Sequence, residues 1–293
     1  MLSFLMRHHD IGHYSWYQTR VFADYFWELM SEGELSKLTE IYQWARSEQI
    51  PLLVIGGGSN LLFATDRFDG VIIKNSLSGW KYDSEQKILY TSSNEPIWTI
   101  ASQLEQEYDQ TLWHRFIGLP GSIGGAIYGN AGCFGLETES NFVSATIYDM
   151  LSGEQKIFSK DDMQFGYRHS FLKENPHLFL ISAIFDLSKK REKYHSDVDN
   201  IDFRENRQPK GNSCGSFFKN PSRELSAGHL IEAVGLKGYR HGGAYWSPLH
   251  ANFLMSDGES CPPSDLIELV RLTQVRVKKE KGIDLINEVR IIG

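Results

Sequence analysis

Cysteine is scarce in this sequence of 293 residues. The three cysteines are far apart and odd in number, which favours a reducing compartment over a secreted, disulfide-linked protein. They are Cys133, Cys214 and Cys261. Long apolar runs are also missing, since none approaches the roughly 18 residues of a membrane-spanning helix. The apolar residues 2–6 are followed by His8, His9 and Asp10, too early for a signal peptide, so we expect a cytoplasmic protein with no membrane partner.

An excess of basic residues is missing as well. The net charge is −7, with 30 lysines and arginines against 37 acidic residues, whereas nucleic-acid-binding domains are usually basic. There is no internal repeat, and the 41% hydrophobic and 23% charged residues are ordinary for a globular protein. The length allows about two or three compact units. We therefore expect a globular protein with no nucleic-acid partner and no metal site.

A glycine-rich stretch stands out at residues 118–132. Six of its fifteen residues are glycine, in the sequence Gly-Leu-Pro-Gly-Ser-Ile-Gly-Gly-Ala-Ile-Tyr-Gly-Asn-Ala-Gly. Glycine allows a positive φ angle and lets the backbone approach a ligand, so bare N–H groups can line an anion or a flat heterocycle. A flexible linker would be polar throughout, but this stretch carries Leu119, Ile123, Ile127 and Tyr128. We predict a packed loop that contacts a ligand.

A second glycine loop follows a predicted buried strand at residues 52–55. Its sequence is Gly56-Gly57-Gly58-Ser59-Asn60-Leu61-Leu62. Main-chain N–H groups in such a loop can converge on a phosphate, although the spacing matches neither the Rossmann fingerprint nor the P-loop. For this loop alone, a simple tight turn is an equally good interpretation.

Hydrophobic periodicity predicts the other elements. Helices are predicted at residues 36–49, 98–107 and 227–234, and from an N-cap at Ser264 to Gly282. Strands are predicted at residues 25–29, 71–73, 87–90, 142–149, 178–187 and 287–292, the last with Glu288 and Arg290 inside it. The charged stretch 189–210 is predicted to be a solvated helix or a linker, and it marks the expected domain boundary.

The order of these motifs resembles the UDP-N-acetylenolpyruvoylglucosamine reductase family of flavoenzymes. The similar blocks are residues 55–62, 118–132, 215–221, 227–252 and 288–290, together with Tyr167-Arg168-x-Ser170. The resemblance implies an α+β fold with an FAD-binding module of the vanillyl-alcohol-oxidase type, whose subdomains would cover about residues 1–75 and 76–188. A smaller α+β substrate-binding domain would follow at residues 189–293, with its last strand returning to the FAD module.

The resemblance also implies a reaction, the NADPH-dependent, FAD-mediated reduction of UDP-N-acetylglucosamine enolpyruvate to UDP-N-acetylmuramate for peptidoglycan. Hydride addition builds negative charge on the carboxylate side of the substrate, and a cation aimed there lowers the barrier. By resemblance Arg168 supplies this cation, Glu288 lies near the carboxylate, and Ser216 donates the proton. Without the resemblance, Arg168 also fits a surface salt bridge and Ser216 a structural serine. Glu288 also fits an exposed strand residue paired with Arg290.

The resemblance assigns both glycine-rich segments to FAD. The first would bind the pyrophosphate through Gly56, Gly57, Gly58, Ser59, Asn60 and Leu61. The second would line the isoalloxazine and ribityl parts through Gly118, Pro120, Gly121, Ser122, Gly124, Gly125, Ala126 and Asn130. Substrate contacts are expected from Tyr167, Lys219, Asn220, Lys237 and His250, with Arg240 as a further candidate. His250 also fits a core histidine.

The sequence departs from the family pattern in two places. The family carries a Thr-Phe-x-x-Gly-Gly segment that contacts the flavin, and here Arg20 and Val21 replace both glycines. Tyr245 and Trp246 are bulkier than is usual near the substrate diphosphate. The short spacing between Arg168 and Ser216 resembles the form of the family without an extra substrate-capping loop.

Two alternatives remain open at this point. One is a divergent flavin or UDP-sugar binder without turnover, against which the retained Arg168, Ser216 and Glu288 argue. The other is a carbohydrate-oxidising flavoenzyme of the same fold, since a fold does not determine a function. Such oxidases often attach FAD through His or Cys, and neither glycine loop offers an obvious attachment point. We expect a monomer whose partners are a UDP-sugar and NADPH, with packing roles for Cys133 and Cys214.

Overall fold

The computed structural model describes residues 2–189 and 199–293, and the chain divides into two compact units that are each discontinuous in sequence. The first unit comprises Met1–Leu5, Phe26–Gly57 and Gly70–Ile201, and the second comprises Met6–Tyr25, Gly58–Asp69 and Asp202–Gly293. These units are defined by packing, so the predicted ligand-binding domains with a boundary near residue 188 stay a prediction. The predicted charged segment 189–210 lies partly outside the described residues.

The described residues contain six α-helices and sixteen strands. The helices are α1 (Leu35–Ser47), α2 (Ile97–Tyr108), α3 (Ile123–Gly129), α4 (Asn200–Arg207), α5 (Ala227–Ala233) and α6 (Pro263–Lys281). The strands are β1 (Met6–Asp10), β2 (Phe22–Leu29), β3 (Leu52–Ile55), β4 (Leu61–Phe63), β5 (Arg67–Asn75), β6 (Trp80–Asp83), β7 (Ile88–Ser92), β8 (Gly132–Cys133), β9 (Leu136–Glu137), β10 (Phe142–Asp149), β11 (Glu154–Ser159), β12 (Leu178–Asp186), β13 (Arg240–His241), β14 (Ala244–Trp246), β15 (Leu254–Ser256) and β16 (Arg290–Ile292).

The core of the first unit is built from a five-stranded antiparallel sheet and two helices. The strand order is β11-β10-β12-β7-β6, with Ala145 of β10 opposite Ala183 of β12. Helix α2 buries four residues at the i, i+3, i+4, i+7 spacing of an amphipathic helix. They are Ile97, Ile100, Ala101 and Leu104. The buried residues of α3 join the same cluster, so α3 is anchored in this core.

The first unit also contains a parallel pair of strands that leads into the first glycine loop. Leu52 of β3 lies opposite Val71 of β5, and Ile55 lies opposite Lys74. The short apolar run of β3 is typical of a strand in a parallel sheet. The carboxyl end of β3 therefore leads directly into Gly56.

The second unit packs α5 and α6 with the three-stranded sheet β13-β14-β15. Trp246 is fully buried in this core, and its Nε1 donates a 2.8 Å hydrogen bond to Thr273 Oγ1 of α6. Strand β16 pairs in parallel with β4, with Arg290 opposite Leu61. The last strand of the chain thus lies beside the C-terminal end of the first glycine loop.

The prediction of a loop over the whole of residues 118–132 is wrong, because α3 forms in the middle of it. Ser122 caps this helix by accepting a hydrogen bond from the Gly125 N–H. Ile123, Ala126 and Ile127 lie on one face and are buried. Burial of this apolar face outweighs the low helix propensity of glycine.

Two predicted boundaries near the C-terminus are also wrong. Helix α6 begins at Pro263 rather than after an N-cap at Ser264, since proline suits the first helical position, where no N–H is needed. Its predicted end at Gly282, which has a φ of 73°, is confirmed. The last strand begins at Arg290, so Glu288 lies in the segment before it.

Candidate functional site

The two predicted FAD-binding segments approach each other within the first unit. A Cβ atom on Gly56 would lie 2.6 Å from Ser122 Oγ, and one on Gly57 would lie 3.4 Å from the Cα of Gly121. Gly118 and Gly121 adopt φ angles of 79° and 112°, which favour glycine. The close approach requires glycine at position 56, so at least part of the glycine pattern serves the packing of the two segments.

The first glycine loop continues into the second unit at Gly58, which has a φ angle of 67°. A Cβ atom on Gly58 would overlap the carbonyl oxygen of Tyr14. The Gly58 carbonyl accepts a 3.2 Å hydrogen bond from the Trp16 N–H. In the described parts of the chain, the main-chain N–H groups of Gly58, Ser59 and Asn60 have no hydrogen-bond partner. Such consecutive free donors fit an anionic group like the pyrophosphate of FAD.

The start of α3 is already satisfied by protein groups. The N–H groups of Ile123 and Gly124 donate to main-chain carbonyls at 2.8 and 2.6 Å, and the Gly125 N–H donates to Ser122 Oγ at 3.3 Å. A Cβ atom on Gly124 would lie 2.9 Å from the Ser93 carbonyl oxygen. These N–H groups are not free to bind a ligand in this arrangement. The predicted FAD contacts of Gly124 and Gly125 stay predictions, as do those of Pro120 and the buried Ala126.

The N-terminal segment that lacks the two family glycines still packs along the first glycine loop. Ser15 Oγ donates a 2.7 Å hydrogen bond to the Leu61 carbonyl. The Val21 side chain is fully buried, and its carbonyl accepts a 2.8 Å hydrogen bond from the Ile11 N–H. The valine that replaces glycine is therefore accommodated as a buried side chain of the second unit.

Tyr167 and Arg168 occupy the tip of a tight turn in the first unit. Gly166 and His169 close this turn with two reciprocal main-chain hydrogen bonds of 3.1 Å. Arg168 adopts a φ angle of 55°, a left-handed conformation that costs a non-glycine residue roughly 1–2 kcal/mol. Its Nη2 donates to the Gly132 carbonyl at 3.1 Å, and its guanidinium lies 5.1 Å from the centre of the Tyr167 ring. Strained residues of this kind cluster at functional sites.

The second unit contains a cavity of about 330 Å³, a volume in the range of small-molecule sites. It brings together four residues that were predicted to act on the substrate. They are Ser216, Asn220, Lys237 and His250. The Ser216 hydroxyl is half-buried and makes no hydrogen bond to any residue that the structure describes. This free hydroxyl at the cavity is available to a ligand.

Hydrogen-bond donors surround this cavity. Lys237 Nζ forms a 3.0 Å ion pair with Glu232. Burial lowers the pKa of His250, and the nearby charge of Lys237 acts in the same direction. The Asn252 N–H donates to His250 Nδ1 at 3.3 Å, so the neutral ring carries its proton on Nε2. Asn220 Oδ1 accepts a hydrogen bond from the first residue of α5, which leaves its NH₂ group as a donor.

Asn252 holds the segment that carries Ser216, and the sequence reasoning assigned it no role. Its side chain accepts from the Phe218 N–H at 3.0 Å and donates to the Phe218 carbonyl at 2.9 Å. Its own carbonyl accepts from the Phe217 N–H at 2.8 Å. The feature of the sequence that could have indicated this role is an asparagine between the apolar residues Ala251 and Phe253. A buried amide needs partners for all its polar atoms.

Glu288 lies beside the same segment through its main chain. Its N–H donates to the Phe217 carbonyl at 2.8 Å, and its carbonyl accepts from Asn60 Nδ2 at 3.2 Å. The backbone of Glu288 thus adjoins both the segment of Ser216 and the first glycine loop within the second unit. The catalytic role of its carboxyl group stays a prediction.

Lys219 and Arg240, which were also candidates for substrate contacts, do not line the described cavity. Lys219 donates its main-chain N–H to the Ile286 carbonyl at 2.9 Å. Arg240 forms an ion pair with Asp257, and its guanidinium lies 4.3 Å from the centre of the Tyr245 ring. Arg240 is therefore paired with Asp257, and the Tyr245 ring packs against its guanidinium.

Cys214, two residues before Ser216, has the properties of a packing residue. Cys214 is buried, and burial raises the pKa of its thiol to about 12. Its Sγ donates to the Leu61 carbonyl at 3.5 Å. The thiol is therefore uncharged at neutral pH, which fits the packing role predicted for it.

Comparisons with known proteins identify the family of this chain. Residues 32–158 match the family described as "FAD binding domain", and residues 207–292 match "UDP-N-acetylenolpyruvoylglucosamine reductase, C-terminal domain". The UDP-N-acetylenolpyruvoylglucosamine reductase of Synechococcus sp. (strain RCC307) is 35% identical over 97% of this chain and 92% of its own length. That of Chlamydia trachomatis serovar L2 is also 35% identical, over 92% of this chain and 90% of its own length.

The chain belongs to the UDP-N-acetylenolpyruvoylglucosamine reductase family. A crystal structure of the family member from Thermus caldophilus, 25% identical, covers 99% of both chains with a TM-score of 0.74. The predicted α+β fold, with an FAD-binding module followed by a C-terminal domain, is confirmed, and so is FAD as the cofactor. Among the residues that the structure describes, no helix is long and apolar enough to span a membrane.

Proposed function

We propose that this protein is the reductase that uses NADPH and FAD to convert UDP-N-acetylglucosamine enolpyruvate into UDP-N-acetylmuramate for peptidoglycan synthesis. The observation that carries this proposal is the Ser216 cavity in a chain of this family. There, a free hydroxyl lines the same cavity as one cation and two neutral donors, from Lys237, His250 and Asn220. A proton donor beside anion-binding groups suits a substrate that carries both an enolpyruvyl group and a diphosphate.

The diphosphate is the part of the substrate that we assign to the rim of this cavity. Lys237 offers a positive charge that Glu232 only partly offsets at the protein surface. His250 offers an Nε2–H donor in its neutral form, and Asn220 offers an NH₂ group. These donors provide charge-assisted and neutral hydrogen bonds to phosphate oxygens. Binding there would direct the rest of the substrate along the cavity towards Ser216.

The first glycine loop is assigned to the pyrophosphate of FAD. The N–H groups of Gly58, Ser59 and Asn60 are the donors proposed to hold it. FAD held there would supply the hydride chemistry that links NADPH to the enolpyruvyl double bond. The contribution of the chain is to hold, orient and polarise the groups around that transfer.

The protein groups complete the reduction by handling charge and a proton. We assign Arg168 and Glu288 to the substrate carboxylate, where negative charge develops. Ser216 donates its hydroxyl proton to the carbon that becomes negatively charged after hydride addition, so the product gains one hydride and one proton. A serine is a weak acid and must be held firmly to act this way, and the hydrogen bonds of Asn252 to Phe218 provide that restraint.

The test is an assay of the FAD-loaded protein with NADPH. We expect NADPH oxidation that depends on UDP-N-acetylglucosamine enolpyruvate, with a product heavier by two hydrogens in mass spectrometry. UDP-N-acetylglucosamine, which lacks the double bond, is the control and should give no oxidation. A yellow protein that oxidises NADPH no faster with the enolpyruvyl substrate would indicate the binder without turnover. A colourless protein that cannot be reconstituted with FAD would contradict every flavoenzyme assignment.

We also propose that the protein is a monomer in the cytoplasm.

A further inference from the structure

Asn130 is a fully buried residue at the C-terminal end of α3. It adopts a left-handed conformation with a φ angle of 42°, which asparagine tolerates better than most residues. Its Oδ1 accepts a 3.1 Å hydrogen bond from the Glu139 N–H. Its Nδ2 lies 3.0 Å from Glu137 Oε2, 3.3 Å from Glu139 Oε1 and 3.0 Å from the Gly166 carbonyl oxygen. Every polar atom of this amide is therefore bonded to the protein.

These contacts leave Asn130 with no free donor for a ligand. An asparagine amide has two N–H donors and one carbonyl acceptor, and all three face protein partners here. The family resemblance assigned Asn130 to FAD, but the geometry of its side chain points elsewhere. It joins the end of α3 and the Glu137–Glu139 region to the turn that begins at Gly166.

That turn carries Arg168 in its strained conformation. Lys173 Nζ donates a 2.7 Å hydrogen bond to the Arg168 carbonyl, and Ser170 Oγ donates a 2.8 Å hydrogen bond to the Tyr128 carbonyl. Arg168 Nη2 donates to the carbonyl of Gly132, two residues beyond Asn130. Both sides of the turn are thus tied to the end of α3. A strained backbone conformation persists only where several surrounding contacts hold it in place.

We propose that Asn130 is a positioning residue that acts through Arg168, by fixing the Gly166–His169 turn on the end of α3. The proposal rests on the proposed function, in which Arg168 acts on the substrate carboxylate. A cation that is misplaced by about 1 Å loses much of its effect on the transition state, by up to about 100-fold in rate. The role of Asn130 is thus separate from contact with FAD or substrate.

The substitution Asn130→Gly isolates the side chain, because glycine keeps the left-handed backbone and removes every hydrogen bond of the amide. Asp109→Gly is the matched control, since Asp109 ends α2 in the same unit with a φ angle of 52° and an exposed side chain. We expect Asn130→Gly to lower the turnover number at least about tenfold. Reduction of bound flavin by NADPH should change less than about twofold, and Asp109→Gly should match the wild type in both rates.

A double-mutant cycle with Arg168→Ala decides whether Asn130 acts through Arg168. We expect Asn130→Gly to have an effect of less than about twofold when Arg168 is already alanine. An equal loss of turnover in both backgrounds would overturn the proposal. A loss of FAD affinity as large as the loss of turnover would also overturn it, because it would make Asn130 a cofactor contact.

A readout without catalysis separates this proposal from the proposed function. Amide hydrogen exchange at Gly166 and His169 reports the closure of the turn directly. We expect exchange at both amides to be at least about tenfold faster in Asn130→Gly and unchanged in Asp109→Gly. Unchanged exchange would overturn the positioning role even in an active enzyme. Faster exchange in a protein without reductase activity would support the anchoring of the turn while the proposed function failed.

Discussion

The Ser216 hydroxyl differs from that of most buried or half-buried serines because no described residue accepts or donates a hydrogen bond to it. A polar group in this environment normally finds a protein partner. Its segment is nevertheless held rigidly, through the hydrogen bonds of Asn252 to Phe217 and Phe218. A rigid segment with a free hydroxyl is the arrangement that a proton donor needs, because the donor must be fixed while its proton stays available.

Ser216→Ala removes this proton and little else. We expect reduction of bound flavin by NADPH to remain within about twofold of the wild type, while reduction of the enolpyruvyl substrate slows by about 10²–10⁴-fold, the usual contribution of a positioned acid. Stopped-flow measurement of the two half-reactions checks this. Ser260→Ala, at an exposed serine of the same unit, is the control. An equal slowing of both half-reactions would contradict the assignment of Ser216.

His250 makes stability depend on pH in a definite direction. Burial lowers its pKa in the folded protein, while the unfolded chain keeps a value of about 6.5. Between these two values the unfolded state binds more protons, so the folded state loses stability as the pH falls below about 6.5. Above that pH the residue is neutral in both states and contributes no pH dependence.

His250→Gln should therefore flatten the pH profile of unfolding. We expect the melting temperature of the wild type to fall more steeply than that of the variant between about pH 6.5 and pH 5, and the two profiles to run parallel above about pH 7. Thermal unfolding in matched buffers measures this difference. Parallel profiles throughout the acidic range would contradict a depressed pKa for His250.

At the scale of elements, the glycines of the two loops have different physical roles. Gly58 is needed for its positive φ angle and for its contact with the Tyr14 carbonyl. Gly56 is needed for the close approach of Ser122. At Gly129, at the end of α3, a Cβ atom would meet nothing within 4 Å. The three positions look alike in the sequence, and only the neighbours that each one meets distinguish them.

Gly58→Ala and Gly129→Ala test this distinction. Gly58→Ala should lower the free energy of unfolding by at least about 2 kcal/mol, from left-handed strain and from overlap with Tyr14, and should weaken FAD binding. Gly129→Ala should change stability by less than about 1 kcal/mol, because alanine favours a helix and finds open space. Denaturant unfolding and titration with FAD measure both effects. Equal effects of the two substitutions would contradict the proposed role of the Tyr14 contact.

At the scale of the whole molecule, the second compact unit is assembled from three separate parts of the chain. Residues 6–25 and 58–69 join residues 202–293 in it. Tyr17 and Leu62 belong to its buried core, and β16 pairs with β4. The C-terminal family match at residues 207–292 therefore covers only part of this packing unit.

A fragment of residues 202–293 should not fold on its own. Without Tyr17, Leu62 and β4, it loses part of its core and the strand that pairs with β16. We expect the isolated fragment to show no cooperative thermal transition by circular dichroism, whereas the full chain shows one. A fragment that unfolds as cooperatively as the full chain would contradict this account of the second unit.

The sequence predicted about half of the regular elements in the described residues. Helix α2 and strand β3 follow directly from local patterns, the spacing of Ile97, Ile100 and Leu104 and the apolar run before Gly56. The helix within residues 118–132 was missed because propensity alone disfavours glycine in a helix. Its stability depends on the core into which Ile123 and Ile127 pack. The same holds for the start of the last strand, which depends on pairing with β4.

The sequence by itself determined the family of this protein and the two glycine-rich segments, because residue type and order along the chain carry that information, and it predicted catalytic roles for Arg168, Ser216 and Glu288. Only the tertiary structure decided that Asn252 clamps Phe218 and that Asn130 ties α3 to the turn of Arg168. Both depend on hydrogen bonds between residues more than 30 positions apart. No local pattern encodes which distant carbonyl a buried amide will meet, since that is settled when the segments pack and every buried polar group must find a partner.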